Sequence, residues 1–470
     1  MKKTIFYLLL IFPFYNLQAQ DCNCGDNFSY LTNRITKNYV GYSDKVTPAN
    51  SQRFKKFTDS LQQVANQANP YKCLSLCREW LDFFKDKHIS FGMEFDKLDP
   101  DSVRSFFANE EKTTWTESTF KSYLEQNKEA LDSIEGIWSV GIYEVGIVKD
   151  IKSDQFIGFI LKADSLRWMP QQIKFRLAKK DNQYQTIFFA GGDHSEQHPI
   201  LLKTKDVLDF GIFGKWRRSP KLLPAPIKEE IDLSPKFKVL DHETALFEMP
   251  SFGKLEYVAP TAALIKQNEK ILKNTKHLII DLRNNGGGSV LVYEKLIPYL
   301  YTNPILKEGG YVLATPENIK DSGYAKEYPE TSDSIKNVFK KYLVELKAHE
   351  GELYKLYPID TIKFKTVYKN PERVSFLVNG GTGSAAELFL LEAKQSKKVK
   401  LYGEHSSGAV DYTEFVKVEM PCKFYTLYYP TCKSLRLPDY PLDNIGIKPD
   451  VTIPANVTDW IDFVKKYKTK

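Results

Sequence analysis

The chain has 470 residues, enough for two to four ordinary domains. Its 42% hydrophobic and 13% aromatic content, with 25 Gly and 24 Pro, is that of a globular protein and excludes collagen-like, low-complexity and wholly disordered chains; a mean hydropathy of -0.39 excludes a polytopic membrane protein. The 66 Lys+Arg against 59 Asp+Glu leave +7, but the basic residues are dispersed and form no long block or aromatic-interleaved arm, so nucleic acid is not an expected partner.

The N-terminus reads as an address. Met1-Lys2-Lys3, the apolar run Ile5 to Tyr15 and Leu17-Gln18-Ala19 have the charged, apolar and small-residue regions of a secretory signal. The run is shorter than the roughly 20 apolar residues a spanning helix needs. Cleavage after Ala19 is expected, giving an exported chain, periplasmic or secreted, with no integral membrane span. Gln20-Asp21 before Cys22 argues against a lipid anchor. Cys22, Cys24, Cys73, Cys77, Cys422 and Cys432 form an even set, which in an exported chain favours disulfides over a metal site. Cys22 and Cys24 are too close to bridge to each other, so bonds from them to Cys73 and Cys77 are expected. Cys422 and Cys432 flank Tyr425 to Tyr429 and suit the closing of a strand hairpin. Six cysteines allow many pairings, and the connectivity stays open.

Along the chain, residues 20–112 read as a mainly helical cap, with helical spacing over Phe54 to Val64 and Leu74 to Phe84, turning extended at His88-Ile89-Ser90-Phe91. Residues 113–225 read as a β-rich insert, a small barrel or sandwich, from the short apolar runs at 136–148, 156–161, 173–177 and 184–189. Ser219 to Pro226 looks like a Pro-rich linker. Residues 226–470 alternate strands and helices. Helix candidates are Ala262 to Lys273, Ser289 to Leu300 and Ser384 to Gln395; buried strands are His277 to Leu282 and Val374 to Val378. Two strand, glycine turn, helix units imply an α/β layer whose ligands gather where strand C-termini meet helix N-termini.

The first turn, Asn284-Asn285-Gly286-Gly287-Gly288, leaves backbone N–H groups unobstructed at a helix start, a recipe for holding an oxyanion. It lacks the Gly-Lys-Ser/Thr of a phosphate loop. The second, Asn379-Gly380-Gly381-Thr382-Gly383, delivers Ser384 to the head of a helix. There Ser384-Ala385-Ala386-Glu387 also has the spacing of a capping box. His194 and His198 with Asp193 have no evident fourth ligand, and His242, His277 and His349 stand in no motif.

Four ordered blocks carry a resemblance: Ile279 to Gly288, Phe376 to Glu387, Tyr402-Gly403-Glu404 and Gly446-Ile447-Lys448-Pro449-Asp450. In order and spacing they resemble the core of the tail-specific, or C-terminal processing, serine peptidases. The resemblance implies an α/β, ClpP/crotonase-like protease core. It makes Ser384 the nucleophile and supplies an oxyanion hole from Gly286 or Gly287 with Ala385. The family's tail-specific branch carries a catalytic lysine after Gly-Glu-x-x-x-Gly, where this chain has Ala409 after Gly403 to Gly408. The tricorn-like branch instead uses a histidine from a segment before the core and an acid just ahead of Gly-x-x-Pro-Asp. Asp86-Lys87-His88-Ile89-Ser90-Phe91 and Asp443-Asn444-Ile445-Gly446 match those segments. The implied triad is Ser384, His88 as base and Asp443 as orienting acid, with His405 the alternative base. Relatives place a peptide-binding PDZ domain where this chain has its β-rich insert, and no Gly-Leu-Gly-Phe-like loop is found there. The expectation is an exported serine endopeptidase acting on peptides or unfolded segments, with no metal or organic cofactor. The alternative is a catalytically silent binding protein on the same scaffold.

Overall fold

The apolar runs around residues 279 and 376 lie side by side at the centre of a six-stranded sheet in the computed structural model. The structure describes residues 22–467 except 69, 96–97, 151–152, 154, 181–182, 219–231, 327–331 and 455. The expected signal at 1–19 and the linker at 219–226 lie outside the described residues. No helix among the described residues is long and apolar enough to cross a membrane.

The six strands run in the order Lys236–Val239, Thr244–Glu248, His277–Asp281, Arg373–Val378, Val399–Gly403 and Val451–Thr452; the first pair is antiparallel and the others are parallel. A parallel sheet must be covered on both faces. Phe247, Leu278, Ile280 and Phe376 pack into one cluster with Phe389 and Leu390 of the helix Ala385–Ala393. Leu246, Ile279 and Leu377 face the other way, toward the terminal helix Trp460–Lys466. Because Asp281 is paired with Leu377, both glycine turns leave the same edge of the sheet. The expected helix from Ser289 to Leu300 is instead two 3-10 turns, Val290–Val292 and Glu294–Leu296, followed by the short helix Ile297–Leu300. Pro298 explains the break, since it lacks an N–H and its ring collides with the carbonyl four residues back.

A second, antiparallel sheet joins the ends of the sequence. Tyr425–Ser434 lies between Tyr412–Glu419 on one side and, on the other, Ser90–Met93 followed by Gly310–Leu313, which pairs with Leu353–Tyr357. The cap is therefore not a separate body. Phe28, Leu31 and Ile35 of the helix Cys24–Asn38, with Leu74, Trp80 and Phe84, share one core with Val416, Val418, Tyr425, Leu427 and Tyr429. Two disulfides reinforce the junction, Cys22–Cys422 and Cys24–Cys73. Of the expected pairings only one between Cys24 and Cys73 forms; Cys77 and Cys432 are buried free thiols. The Cys422–Cys432 closure fails because residues 425–434 form one extended strand. At about 3.3 Å per residue the seven steps from Tyr425 to Cys432 carry the second thiol roughly 23 Å from the turn that holds Cys422.

The β-rich insert is one antiparallel sheet of nine strands. Its order is Glu196–Gln197, Gln183–Phe189, Ile173–Lys180, Gln155–Lys162, Tyr143–Lys149, Gly136–Val140, Lys215–Arg218, Val207–Asp209 and Leu202–Lys203. Phe188 and Trp216 lie five strands apart, about 24 Å in a flat sheet, yet their rings are 6.4 Å apart. The sheet is thus rolled around a core of Trp138, Phe175, Phe188, Phe210 and Trp216, without pairing between its two end strands. It approaches the barrel read from the sequence but stays open. On its outer side Phe120 of the helix Glu117–Gln126 packs on Phe159.

Candidate active site

Ser384 is set by the turn that ends strand Arg373–Val378. Asn379 Oδ1 accepts the N–H of Asn284 at 2.9 Å, Asn379 Nδ2 donates to Asn284 Oδ1 at 3.0 Å, and Gly383 N–H donates to the Asn285 carbonyl at 2.9 Å. These bonds stitch the two glycine turns together. The first turn must come close: a Cβ on Gly287 would stand 2.7 Å from Ala385 N and Ser384 Cβ. Ser384 itself has φ 53° and ψ -122°, a conformation disfavoured for a side chain other than glycine and held by its surroundings. Its N–H lies 3.1 Å from the Ala409 carbonyl and 3.0 Å from Glu387 Oε2.

Glu387 does more than close the helix. Fully buried, it also accepts from Ala409 N–H through Oε2, and from Gly408 N–H at 2.8 Å and Ser406 Oγ at 2.6 Å through Oε1. A buried carboxylate costs little only when its lone pairs are occupied, and here four donors occupy them. Glu387 thereby welds the Ser384 helix to the 404–409 loop. Ala409, at the position of the family lysine, offers a carbonyl to Ser384 rather than a cation.

The base comes from the turn ahead of strand Ser90–Met93. His88 Nε2 lies 3.1 Å from Ser384 Oγ, and its ring stacks on Phe415 at 6.3 Å between centroids. Burial lowers its pKa to about 4, opposed by the Tyr412 backbone, so the imidazole is neutral at neutral pH. Its Nδ1 is buried and makes no hydrogen bond. The expected acid does not bond to it. Asp443 Oδ1 accepts from Val410 and Asp411 N–H, both at 2.8 Å, while its Oδ2 is buried without a partner. Asp411 in turn holds the backbone of 442 and 443 and pairs with Arg436. The carboxylate next to Nδ1 is Asp86, whose Oδ1 is 3.9 Å away.

Two of the three expected oxyanion donors stay open. No hydrogen bond among the described residues engages the N–H of Gly286 or Ala385, whereas that of Gly287 donates to Asn285 Oδ1 at 2.9 Å. A Cβ on Gly286 would meet nothing within 4 Å, so the space beside it is free for a substrate carbonyl. His405 is exposed, with Nδ1 3.2 Å from the Ile445 carbonyl, and none of its hydrogen bonds reaches Ser384. His194 is directed to Glu110 and His198 to Thr186 and Glu196; no group of side chains among the described residues could hold a metal ion.

Sequence reasoning missed Asp86, Tyr39 and Asp411. Asp86 had a readable signal, since an Asp two residues before another residue tends to bond that residue's N–H. Tyr39 and Asp411 had none, because their contacts with Asp86 and Asp443 are made by the fold.

Residues 243–453 match the model of Peptidase family S41. A curated relative from Chlamydia trachomatis serovar D, described only as a protein, is 22% identical over 228 residues, covering 41% of this chain; the match spans 38% of that relative's length. Among solved structures, mature CPAF complexed with lactacystin is 13% identical, with 92% of this chain and 94% of that one covered at a TM-score of 0.48. The photosystem II D1 C-terminal processing protease is 14% identical, with 92% and 93% covered at a TM-score of 0.39. The matched segment carries both glycine turns, Ser384 and Asp443, so it is this core of the chain that is similar to peptidase family S41, a family of serine peptidases.

Proposed function

We propose that the protein is an exported serine endopeptidase that cleaves peptides or unfolded protein segments through an acyl-enzyme on Ser384. The observation that carries this reading is the 3.1 Å approach of a neutral, buried His88 Nε2 to Ser384 Oγ. His88 takes the hydroxyl proton as Oγ attacks the scissile carbonyl. The N–H groups of Gly286 and Ala385 receive the developing oxyanion. His88 then passes the proton to the leaving amine, and water activated by the same nitrogen releases the acid. Asp443 is the acid of the triad in this reading, with an unpaired Oδ2 available to the imidazolium. The base is supplied by a histidine, so the missing family lysine leaves the chemistry intact. Two disulfides support an oxidising compartment and, with the N-terminal signal, a periplasmic or secreted location.

A fluorophosphonate probe followed by peptide mapping tests the reading. Modification of Ser384 alone, together with turnover of an unfolded polypeptide that Ser384→Ala abolishes, is the expected result. A folded protein that neither labels nor cleaves between pH 6 and 9, a span of about three units in which His88 is neutral, would favour the silent binding protein.

A further inference from the structure

The side of His88 that faces away from Ser384 is built around a residue to which nothing so far gives a role. Asp86 has a fully buried side chain. Its Oδ1 accepts the main-chain N–H of His88 at 2.8 Å and its Oδ2 accepts the Tyr39 hydroxyl at 2.8 Å. Among the described ion pairs it meets no lysine or arginine, Lys45 acting on it only from beyond ion-pair distance; the cationic group at ion-pair distance is the His88 ring, 3.9 Å away, and only when that ring is protonated. A buried carboxylate without a cation is costly to keep. It is kept two residues from the candidate base, at the head of the turn that its own carbonyl closes with the Ile89 N–H at 3.2 Å. His88 Nδ1 meanwhile has no hydrogen bond, and Asp443 spends one oxygen on backbone N–H groups.

We propose that Asp86 is a positioning residue for the reaction, a second carboxylate that, beside Asp443, orients the His88 ring and supports its imidazolium, with Tyr39 fixing the Asp86 carboxylate from the opposite side. The proposal rests on the peptidase reading above for its purpose. Its physical content is a charge coupling between two side chains, which can be measured apart from catalysis. When the Ser384 proton reaches Nε2, positive charge appears on a ring whose near neighbour is Asp86. A shift of under about 1.5 Å would bring Oδ1 to hydrogen-bonding distance of Nδ1. The groups that face this carboxylate are Tyr39, which follows the helix Cys24–Asn38 as its C-cap, Lys45, Asp443 of the closing loop and His88; Tyr412 and Asp411 lie behind them. Burial, and after it the charge of Asp443, raise the Asp86 pKa to about 7. The ionised form of Asp86 is therefore expected to build up only toward neutral and alkaline pH, where serine acylation needs it.

The test compares wild type, Asp86→Asn, Asp86→Ala and Tyr39→Phe by two readouts, the rate of Ser384 labelling against pH and the His88 titration followed by NMR on 13C-histidine-labelled protein. Asp86→Asn keeps an oxygen for the His88 N–H and so preserves the turn. It is expected to slow labelling by at least about tenfold, to lower kcat with little change in KM, and to abolish the inflection near pH 7 that ionisation of Asp86 gives the His88 13C shift. Tyr39→Phe should do the same more weakly, and Asp86→Ala should add a loss of stability. Wild-type labelling, titration and KM in a folded Asp86→Asn would overturn the proposal and leave Asp86 a turn residue. If wild type fails to label but the His88 shift carries an inflection near pH 7 that Asp86→Asn removes, the peptidase reading falls and the coupling stands.

Discussion

The two halves of the candidate site are built by opposite rules. On the nucleophile side the polar groups that hold the turn are engaged, the open N–H groups of Gly286 and Ala385 apart: Glu387 has four donors, Ser384 N–H has two acceptors, and the asparagines of the two glycine turns bond to each other. On the base side His88 Nδ1 and Asp443 Oδ2 are buried and unpaired, and Asp86 lacks a formal counter-ion. The first arrangement fixes a geometry, since a satisfied network in a low-dielectric interior has one low-energy form. The second stores an unbalanced field that becomes favourable only when positive charge arrives on the imidazole. Rigidity lies where the attacking atom must be aimed, and electrostatic imbalance where charge must appear.

The comparison can be broken from either side. Ser384→Ala should remove all labelling and turnover while leaving stability unchanged, because the N–H contacts that define the turn belong to the main chain; a fall in melting temperature of more than a few degrees would mean that Oγ itself holds the turn. Glu387→Ala acts on the same half through structure. It leaves Ser406 Oγ and the N–H groups of Gly408 and Ala409 without an acceptor, and Ser384 N–H with one of its two, and should cost about 3–5 kcal/mol in denaturant unfolding, whereas an effect below about 1 kcal/mol would show that the network is decorative. Cys422→Ser unties the cap that carries His88 from the sheet beneath it. A loss of about 2–4 kcal/mol is expected, with increased proteolysis of the 22–90 segment as the accompanying readout.

The smallest effect concerns pH and has the opposite sign. Asp86 titrates at about 7 when folded and near 4 when unfolded. The folded state therefore keeps a proton that the unfolded chain has lost, and this contribution to stability is full below about pH 4 and disappears as pH rises through 7. Asp86→Asn should be relatively more stable at pH 8 than at pH 5, by about 1 kcal/mol or more. His88 runs the other way. Its folded pKa of about 4 gives stability that is present above about 6.5 and is lost as pH falls toward 4. A variant Asp86→Asn that is equally destabilised at both pH values would remove the imbalance on which the comparison rests.

Much of the nucleophile half was legible in the sequence because it is local. Each glycine turn after a buried strand, and Ser384 at a helix head with Glu387 three residues on, is a pattern contained within about ten residues, although the bonds that join the two turns span a sequence separation of 95. The base half is assembled from residues 39, 86, 88, 411 and 443, brought together by the sheet in which Ser90–Met93 pairs with Tyr425–Ser434. Hydrophobic patterning announces that such strands exist but not which partner they choose. For the same reason Cys22 found Cys422 and not a neighbour in the cap, and a chain divided by composition into cap and core turned out to share one core between them. The roll of the nine-stranded sheet was half legible. Its short apolar runs gave the strands, while the closing contacts of Phe188 and Trp216 depend on curvature that no run displays.

The central claim is that His88 is the base for Ser384, and the rate of fluorophosphonate modification of His88→Ala across pH 6 to 9 measures it most directly. A fall of about a thousandfold or more across this range, with the fold retained, is the predicted result. A His88→Ala protein that labels at the wild-type rate would contradict the account and return the search for the base to the loop that holds His405.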